Sequence, residues 1–591
     1  MKTISFKPII FILPALVVAW GIFNLSFFDP FFAKSSDPEF PYLVNGLNCA
    51  LLKFNYIGHY DHPGTPFQVF IGIVIRFAYL ISGKGDLAQD VFSRPEYYLN
   101  AASLALTTLQ ALLMAIVGWL GLKRKISVWQ ILFLQAGFIF NDVLFWLFAR
   151  VNPDRFFMIS GLLFIIVFLK YGYENRSSVK FAVYSGIVMA LGLATKFNYL
   201  PVLLLPLFLI DTNKNRLVYI GSGIVSFFAF IAPIITKFDD YFRFLTGIFK
   251  HDGLYGSGES KVLNLNKMLD SLSQIFKINP ELVLLVAILT TLIFISFKRK
   301  DKSALIFAGF LLIILLQIIM VSKHFKNYYL APTFILYGFM FFMISGYWKK
   351  ITPSKGQQIL VSNLLPVLFI LSTAWKVQRD YPIISEQKKH RELLRQFTDK
   401  TITTNDFLFI EPTWESGPFK ENAIVYGLSY CGHRDKYVPQ LTAVNPNVIT
   451  YEGNDMPVKL WRGMETSLDS VVASGRNIYI YSSPERNASV LKEMLVESSE
   501  RNKLQLAIDT VYADKQSNDE IIRIKATNSQ TQWTPLNAIN ESRQNRINRY
   551  IETIKTTPDW LEKVKKKAIE KNIPLDSMIK LDAIWMADQN N

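Results

Sequence analysis

The feature that most constrains this chain is a succession of apolar runs, each roughly 20 residues long, that fills its first two thirds. About 20 apolar residues in a helix cover the ~30 Å of a bilayer's hydrocarbon. With 51% hydrophobic residues over 591 positions, the composition is that of a membrane chain rather than a soluble one. The formal net charge is +16. In a soluble protein that would point to nucleic acid. Here the Lys/Arg clusters sit at the ends of apolar runs, as the positive-inside rule expects. Topology therefore accounts for the charge. No nucleic-acid partner is expected, and anionic headgroups are a secondary partner.

Read in order, the first span covers about 7–28, an uncleaved span rather than a signal peptide because no small-residue cleavage site follows it. A long outer loop, 29–99, comes next. Inside it, 67–82 is apolar but short and carries Arg76. If it crossed, Lys123-Arg124-Lys125 would lie outside, so it reads as a helix lying along the interface. Further spans are expected at about 100–122, 127–147, 156–171, a stretch ending near 195, 199–210, 217–235, 280–297, 303–322, 328–348 and 357–375. This gives about eleven transmembrane helices, a cytoplasmic N-terminus and an outer C-terminus.

From about 376 the composition becomes that of a soluble α/β domain. Strands are expected at 406–410, 423–426, 477–481 and 521–524. Helices are expected at 386–397 and 483–499, the second capped by Ser483-Pro484. From 540 the tail reads as helices, with Ile547, Tyr550, Ile551 and Ile554 at helical spacing and another start at Pro558-Asp559-Trp560. The expected division is 1–375, 376–539 and 540–591. Cys49 and Cys431 support no disulfide framework or thiolate metal motif.

The motifs gather on the outer face. They are Asp37-Pro38-Glu39, Tyr60-Asp61-His62-Pro63, Asn152-Pro153-Asp154, Thr195-Lys196, His251-Asp252 and the turn from His324 and Lys326 to Pro332. The inner loops are short and basic. In this order and topology the motifs resemble membrane glycosyltransferases of the GT-C fold. That group includes protein O-mannosyltransferases and lipid A aminoarabinose transferases, and the pattern is most similar to bacterial relatives that decorate lipopolysaccharide. The resemblance covers about 1–375. It departs from the family where Pro38 separates two acids that are usually adjacent.

The resemblance implies a GT-C-like polytopic α-helical membrane protein, with its C-terminal α/β domain in the periplasm of a bacterial inner membrane. It implies transfer of a sugar from a polyprenyl-phosphate-linked donor to a hydroxyl or amine of a lipid, glycan or protein acceptor. Asp37 is then expected to be the general base and Glu39 to position the acceptor. The residue types alone leave other roles open. The acids could solvate a loop, or Asp37 could cap a helix beginning at Pro38. Lys196, Lys323, His324 and Lys326 are candidates to meet the lipid phosphate, and Asp61, His62 and Asp154 to bind substrate. A divalent metal is compatible with the acids, but no ligand spacing indicates one, so no cofactor is expected. Without a Gly-rich phosphate loop there is no sign of a nucleotide sugar. The alternative is a lipid or sugar flippase, for which Asp142 within an apolar run is the main feature.

Overall fold

The computed structural model describes residues 8–34, 37–61, 64–251, 265–352, 354–411, 417–452, 455–483, 488–527, 543–570 and 573–589. The chain forms two compact units, Met1–Ser529 and Gln530–Asn591. Among the described residues, seven helices are long and apolar enough to cross a membrane, or eight if the bent pair Asn327–Phe334 and Tyr337–Ile351 is one span. Three shorter apolar helices, Val128–Ile139, Val179–Thr195 and Phe197–Leu209, accompany them.

The shortfall from eleven full-length spans has local causes. The expected span 127–147 is broken into α-helical Val128–Gln135, a 3-10 turn at Ala136–Ile139 and α-helical Asp142–Leu147. The break falls where the Asn141 side chain accepts the Val143 N–H at 2.9 Å, competing with the helix's own bonding. The expected span 199–210 is a 3-10 stretch, Phe197–Leu204, containing Pro201 and followed by Leu205–Leu209. The expected last span belongs to a 47-residue helix, Lys355–Thr401, that continues into the sheet domain.

The elements that build the outer loop come early. They are α1 (Ile12–Phe27), α2 (Phe31–Lys34), α3 (Glu39–Ala50), α4 (Thr65–Ser82), α5 (Leu87–Ser93) and α6 (Pro95–Lys123). Helix α4 is apolar enough to span, and the segments that flank it on either side meet the sheet domain. Before its start, the His59 ring lies 4.9 Å from Tyr430 and Gly58 N–H donates to the Tyr430 carbonyl at 3.1 Å. After its end, Phe92 of α5 packs on Tyr437 at 5.4 Å, and the Lys420 amine donates to the Ser93 carbonyl at 2.8 Å. The 18-residue helix is about 27 Å long. It packs on α3, α6 and the helices Val179–Thr195 and Asn213–Ile231. Its Ile73, Phe77, Leu80 and Ile81 are exposed on one helical stripe, as a helix resting on lipid requires.

The sheet has six strands in the order β3-β2-β1-β4-β6-β5. These are β1 (Phe407–Ile410), β2 (Val448–Glu452), β3 (Asp455–Leu460), β4 (Ile478–Ser482), β5 (Leu506–Asp514) and β6 (Asp519–Ala526). The central strand β1 pairs in parallel with β2 and β4 and is wholly buried. That is why its run is apolar throughout rather than alternating. The expected strand at 423–426 is instead part of the helix Lys420–Ser429. There Ile424 and Val425 are buried against α3, and tertiary packing overrides their β-branched preference. Gly427 permits the approach, since a Cβ there would meet the Phe40 carbonyl oxygen at 2.7 Å. The helix expected at 483–499 with a Ser483-Pro484 start is described only in its later part. The helix starts at Ser489, and Pro484 lies outside the described residues.

The second unit has three helices, Arg543–Thr556, Pro558–Glu570 and Leu575–Gln589. Ile547, Ile554, Val564, Met578 and Ile579 form its core.

Candidate active site

The site is built where α3 begins. Glu39, 1% exposed, opens that helix. Its carboxylate takes the Arg150 guanidinium in a two-pronged grip, Nε to Oε1 at 2.5 Å and Nη2 to Oε2 at 2.8 Å, and Oε1 also accepts the Val151 N–H at 3.2 Å. Such paired charge-assisted bonds fix geometry as well as adding energy. The same Arg150 Nη2 donates to the Asp37 carbonyl at 2.7 Å. Asp37 is thus held by its backbone while its side chain reaches solvent. It does not cap α3, whose first turn has no side-chain cap.

Tyr42, one turn further along α3, is the hub. Burial, followed by the charges of Asp154, Asp37 and Asp61, holds its hydroxyl well above the ordinary tyrosine range. Gly64 lies over the hydroxyl. It adopts a left-handed φ of 66°, and a Cβ there would sit 3.0 Å from Tyr42 Oη, so both backbone and space call for glycine. The His59 ring stands 4.9 Å from the Tyr42 ring. Burial lowers the His59 imidazole below its ordinary value, against the pull of Asp61 and Asp37. Asp37 keeps surface open to solvent, yet the protein packed around it strips part of its carboxyl's hydration and raises its proton affinity; Glu39 adds to this, and His59, Arg150 and Lys196 oppose it. A carboxylate that reaches solvent and binds its proton more readily than usual is suited to general-base work.

Two further helices complete the wall, α-helical Asp154–Val167 and Val179–Thr195. Asp154 begins the first, and Lys196 follows the second. They are 2% and 6% exposed. The Lys196 amine lies 3.3 Å from both Asp154 oxygens and 5.0 and 5.1 Å from the centres of the Tyr328 and Tyr329 rings. Tyr60 and Asp61 line a cavity of about 610 Å³ that is also lined by Asp240, Arg243, Lys250 and His251.

Asp37, Asp61, Asp154 and Lys196 thus lie close enough for their charges to act on Tyr42 or His59. Glu39 is placed against Arg150 rather than toward open space. The 324–332 turn meets Lys196 through Tyr328 and Tyr329, not through its exposed Lys326. His324 lies three residues from that contact and is half-buried. The Lys323 amine donates to the Ile248 carbonyl. His62 and Asp252 lie outside the described residues. Among the described residues, no three His, Cys, Asp or Glu side chains converge as a metal would require.

Sequence reasoning did not find Tyr42, Tyr328, Tyr329 or the role of Arg150. For Arg150 a signal existed. It and Arg155 fall in the 150–155 stretch that the topology expected from sequence puts on the outer side, against the charge bias of every strong basic cluster.

No family model matches the sequence, and no curated protein matches it. Among solved structures, the crystal structure of ArnT from Cupriavidus metallidurans bound to undecaprenyl phosphate is similar. The match has a TM-score of 0.46 and 11% identity, and covers 86% of this chain and 97% of that one. At that score the match establishes no activity for this chain.

Proposed function

We propose that this protein is a membrane glycosyltransferase. It moves a sugar from a polyprenyl-phosphate-linked donor to a hydroxyl or amine of a glycolipid, polysaccharide or protein acceptor. The reaction takes place at the outer face of a bacterial inner membrane, with the sheet domain in the periplasm. One observation carries the reading: Asp37, Asp61 and Asp154, far apart in sequence, act on one buried tyrosine, and Asp154 is tied to Lys196 beside Tyr328 and Tyr329. In the proposed step, Asp37 removes the proton from the acceptor oxygen or nitrogen as that atom bonds to the sugar's anomeric carbon. The anomeric carbon's bond to the phosphate oxygen breaks, and the electron pair leaves with the polyprenyl phosphate. Lys196, steadied by Asp154 and the two tyrosines, faces the charge that develops on that phosphate. Arg150 and Glu39 hold the loop that presents Asp37.

A flippase reading has one observation in its favour. Lys376 is buried between Asp142 (3.2 Å) and Glu281 (2.7 Å). Both acids lie in the first turn of their helices, which is the position of a tie between helix ends. A transport path would place them at mid-span.

The test is sugar release by the purified full-length protein in lipid, from a radiolabelled panel of polyprenyl-phosphate sugars with cell-derived acceptor extract. Turnover of one donor is expected. No turnover across the panel, with donor flipping detected instead, would replace the proposal with the transport reading. The exposed stripe on α4 offers a second check. Serines at Phe77, Leu80 and Ile81 are expected to raise the apparent Michaelis constant for donor several-fold and leave kcat near wild type. Unchanged kinetics would show that α4 plays no part in donor access.

A further inference from the structure

A second chamber lies between α1, α2, α6 and the 148–149 segment. Its volume is about 150 Å³, room for on the order of ten water-sized groups. Asn24, Lys34, Glu96, Asn100, Ser103 and Phe148 line it. None of these belongs to the Asp37–Lys196 site.

Three features of the chamber are unaccounted for by the protein's own bonding. Asn24 is 3% exposed, and among the described residues neither its amide nitrogen nor its amide oxygen has a hydrogen-bond partner. A buried amide left this way costs free energy unless something else satisfies it. Lys34 is only partly committed. Its amine donates to the Ala149 carbonyl at 3.0 Å and lies 5.0 and 4.5 Å from the Phe28 and Phe31 ring centres, which leaves hydrogens to give. Behind the wall is Arg155, 0% exposed. Its guanidinium donates to the chamber's wall residue Ser103 (Oγ at 3.3 Å, carbonyl at 3.4 Å), to Thr107 Oγ1 at 2.9 Å and to the Arg150 carbonyl at 3.4 Å, all of them uncharged acceptors. The Phe148 ring lies 5.2 Å from its guanidinium carbon. Among the described residues no carboxylate pairs with it, and its Nε has no acceptor. A buried guanidinium without an anion is strongly unfavourable.

The chamber's acids do not fill that need. Glu96 uses both oxygens on the Phe31 and Phe32 N–H groups, at 2.8 and 3.1 Å. Asp29 at the rim is held by Arg391 and Arg395, at 3.0 and 3.4 Å. Free donors therefore face a space backed by an unneutralised cation.

We propose that this chamber is an anion site that takes a phosphate group, with Lys34 and the Asn24 amide as direct ligands and Arg155 behind Ser103 as the compensating charge. The phosphate is either that of an anionic phospholipid headgroup or free inorganic phosphate. The site is independent of the transferase reading, because it shares no lining residue with the site around Tyr42.

The experiment uses full-length protein in dodecyl maltoside, which carries no phosphate. Inorganic phosphate or phosphatidylglycerol is titrated, and binding is followed by the thermal midpoint and by native mass spectrometry. One of the two is expected to raise the wild-type midpoint by several degrees. Asn24→Leu and Lys34→Gln are each expected to weaken that response about tenfold or more. Asp37→Asn is expected to leave it intact, which keeps this result separate from any failure of the transfer assay. A retained phosphatidylglycerol mass that is lost in Asn24→Leu identifies the lipid as the source. A response to phosphate alone identifies the free anion. If Asn24→Leu fails to fold, Lys34→Gln decides. Binding should also weaken as pH rises past about 8, because burial pulls the Lys34 amine down to about 8 against Glu39, Glu96 and Asp29, with Arg150 adding to the depression. No response to either probe in wild type, or equal responses in wild type and both variants, overturns the assignment.

Discussion

Replacing Asp37 with asparagine is expected to lower sugar transfer by about 10²–10⁴-fold, the range a positioned general base contributes. The protein should remain folded, since the Asp37 side chain reaches solvent and the tie to Arg150 uses the backbone carbonyl. The pH profile is the more telling measurement. A base must be deprotonated, so activity falls as pH drops through its pKa. With the Asp37 carboxyl raised by burial, the acidic limb should have its midpoint above the ordinary aspartate value near 3.9. Asp37→Asn should remove that limb from whatever rate remains. A variant that keeps wild-type turnover, or keeps the limb, would take the base assignment away from Asp37. Glu39→Gln makes the contrast. It weakens the grip on Arg150, so it should lower stability and rate while leaving the limb in place.

Arg150→Leu should give the largest loss of stability of any single change near the site. Glu39 is buried, and Arg150 supplies its cationic partner. Removing one member of a buried pair strands the other's charge, at a cost of about 3–5 kcal/mol. The thermal midpoint in lipid should fall by several degrees, and transfer should fall with it because the Asp37 carbonyl loses its donor. The double variant Glu39→Leu, Arg150→Leu removes both charges and should regain much of the midpoint but not the activity. A single variant as stable as wild type would mean that the grip carries no energy. A double variant no better than the single would mean that the loss came from packing rather than from a stranded charge.

The parts of this fold that were legible in the sequence are those governed by period and composition. Apolar runs marked the helical two thirds, and short β-rich runs marked β1, β4 and β6. Legibility ended where a distant neighbour decides the outcome. Ile424 and Val425 read as strand but are helical because α3 lies against them. Spans 127–147 and 199–210 are apolar throughout, yet Asn141 and Pro201 interrupt the backbone bonding that a full-length helix needs. In the site, the acids and Lys196 stood out because ionisable residues are rare beside apolar runs. Tyr42, Tyr328 and Tyr329 did not, since aromatic residues at membrane boundaries are common. The partnership of Glu39 with Arg150 spans 111 positions, and no local pattern encodes it.

The fastening of the first loop has a consequence for how the molecule is made. Asn45 Nδ2 donates to the Tyr430 carbonyl at 2.9 Å. The Tyr437 hydroxyl donates to Asn48 at 2.6 Å, and Ile57 forms a β-bridge with Cys431. These bonds close a circuit nearly four hundred residues long. A ribosome that has delivered every membrane helix has still not delivered the residues that shape α3 and the turn after it. The newborn chain therefore passes through a stage in which its helices are inserted but its reactive loop is unfinished. Catalytic competence should switch on late and all at once, when the last third of the polypeptide has emerged and docked. Chains cut short before Tyr437 would then be inserted but inert.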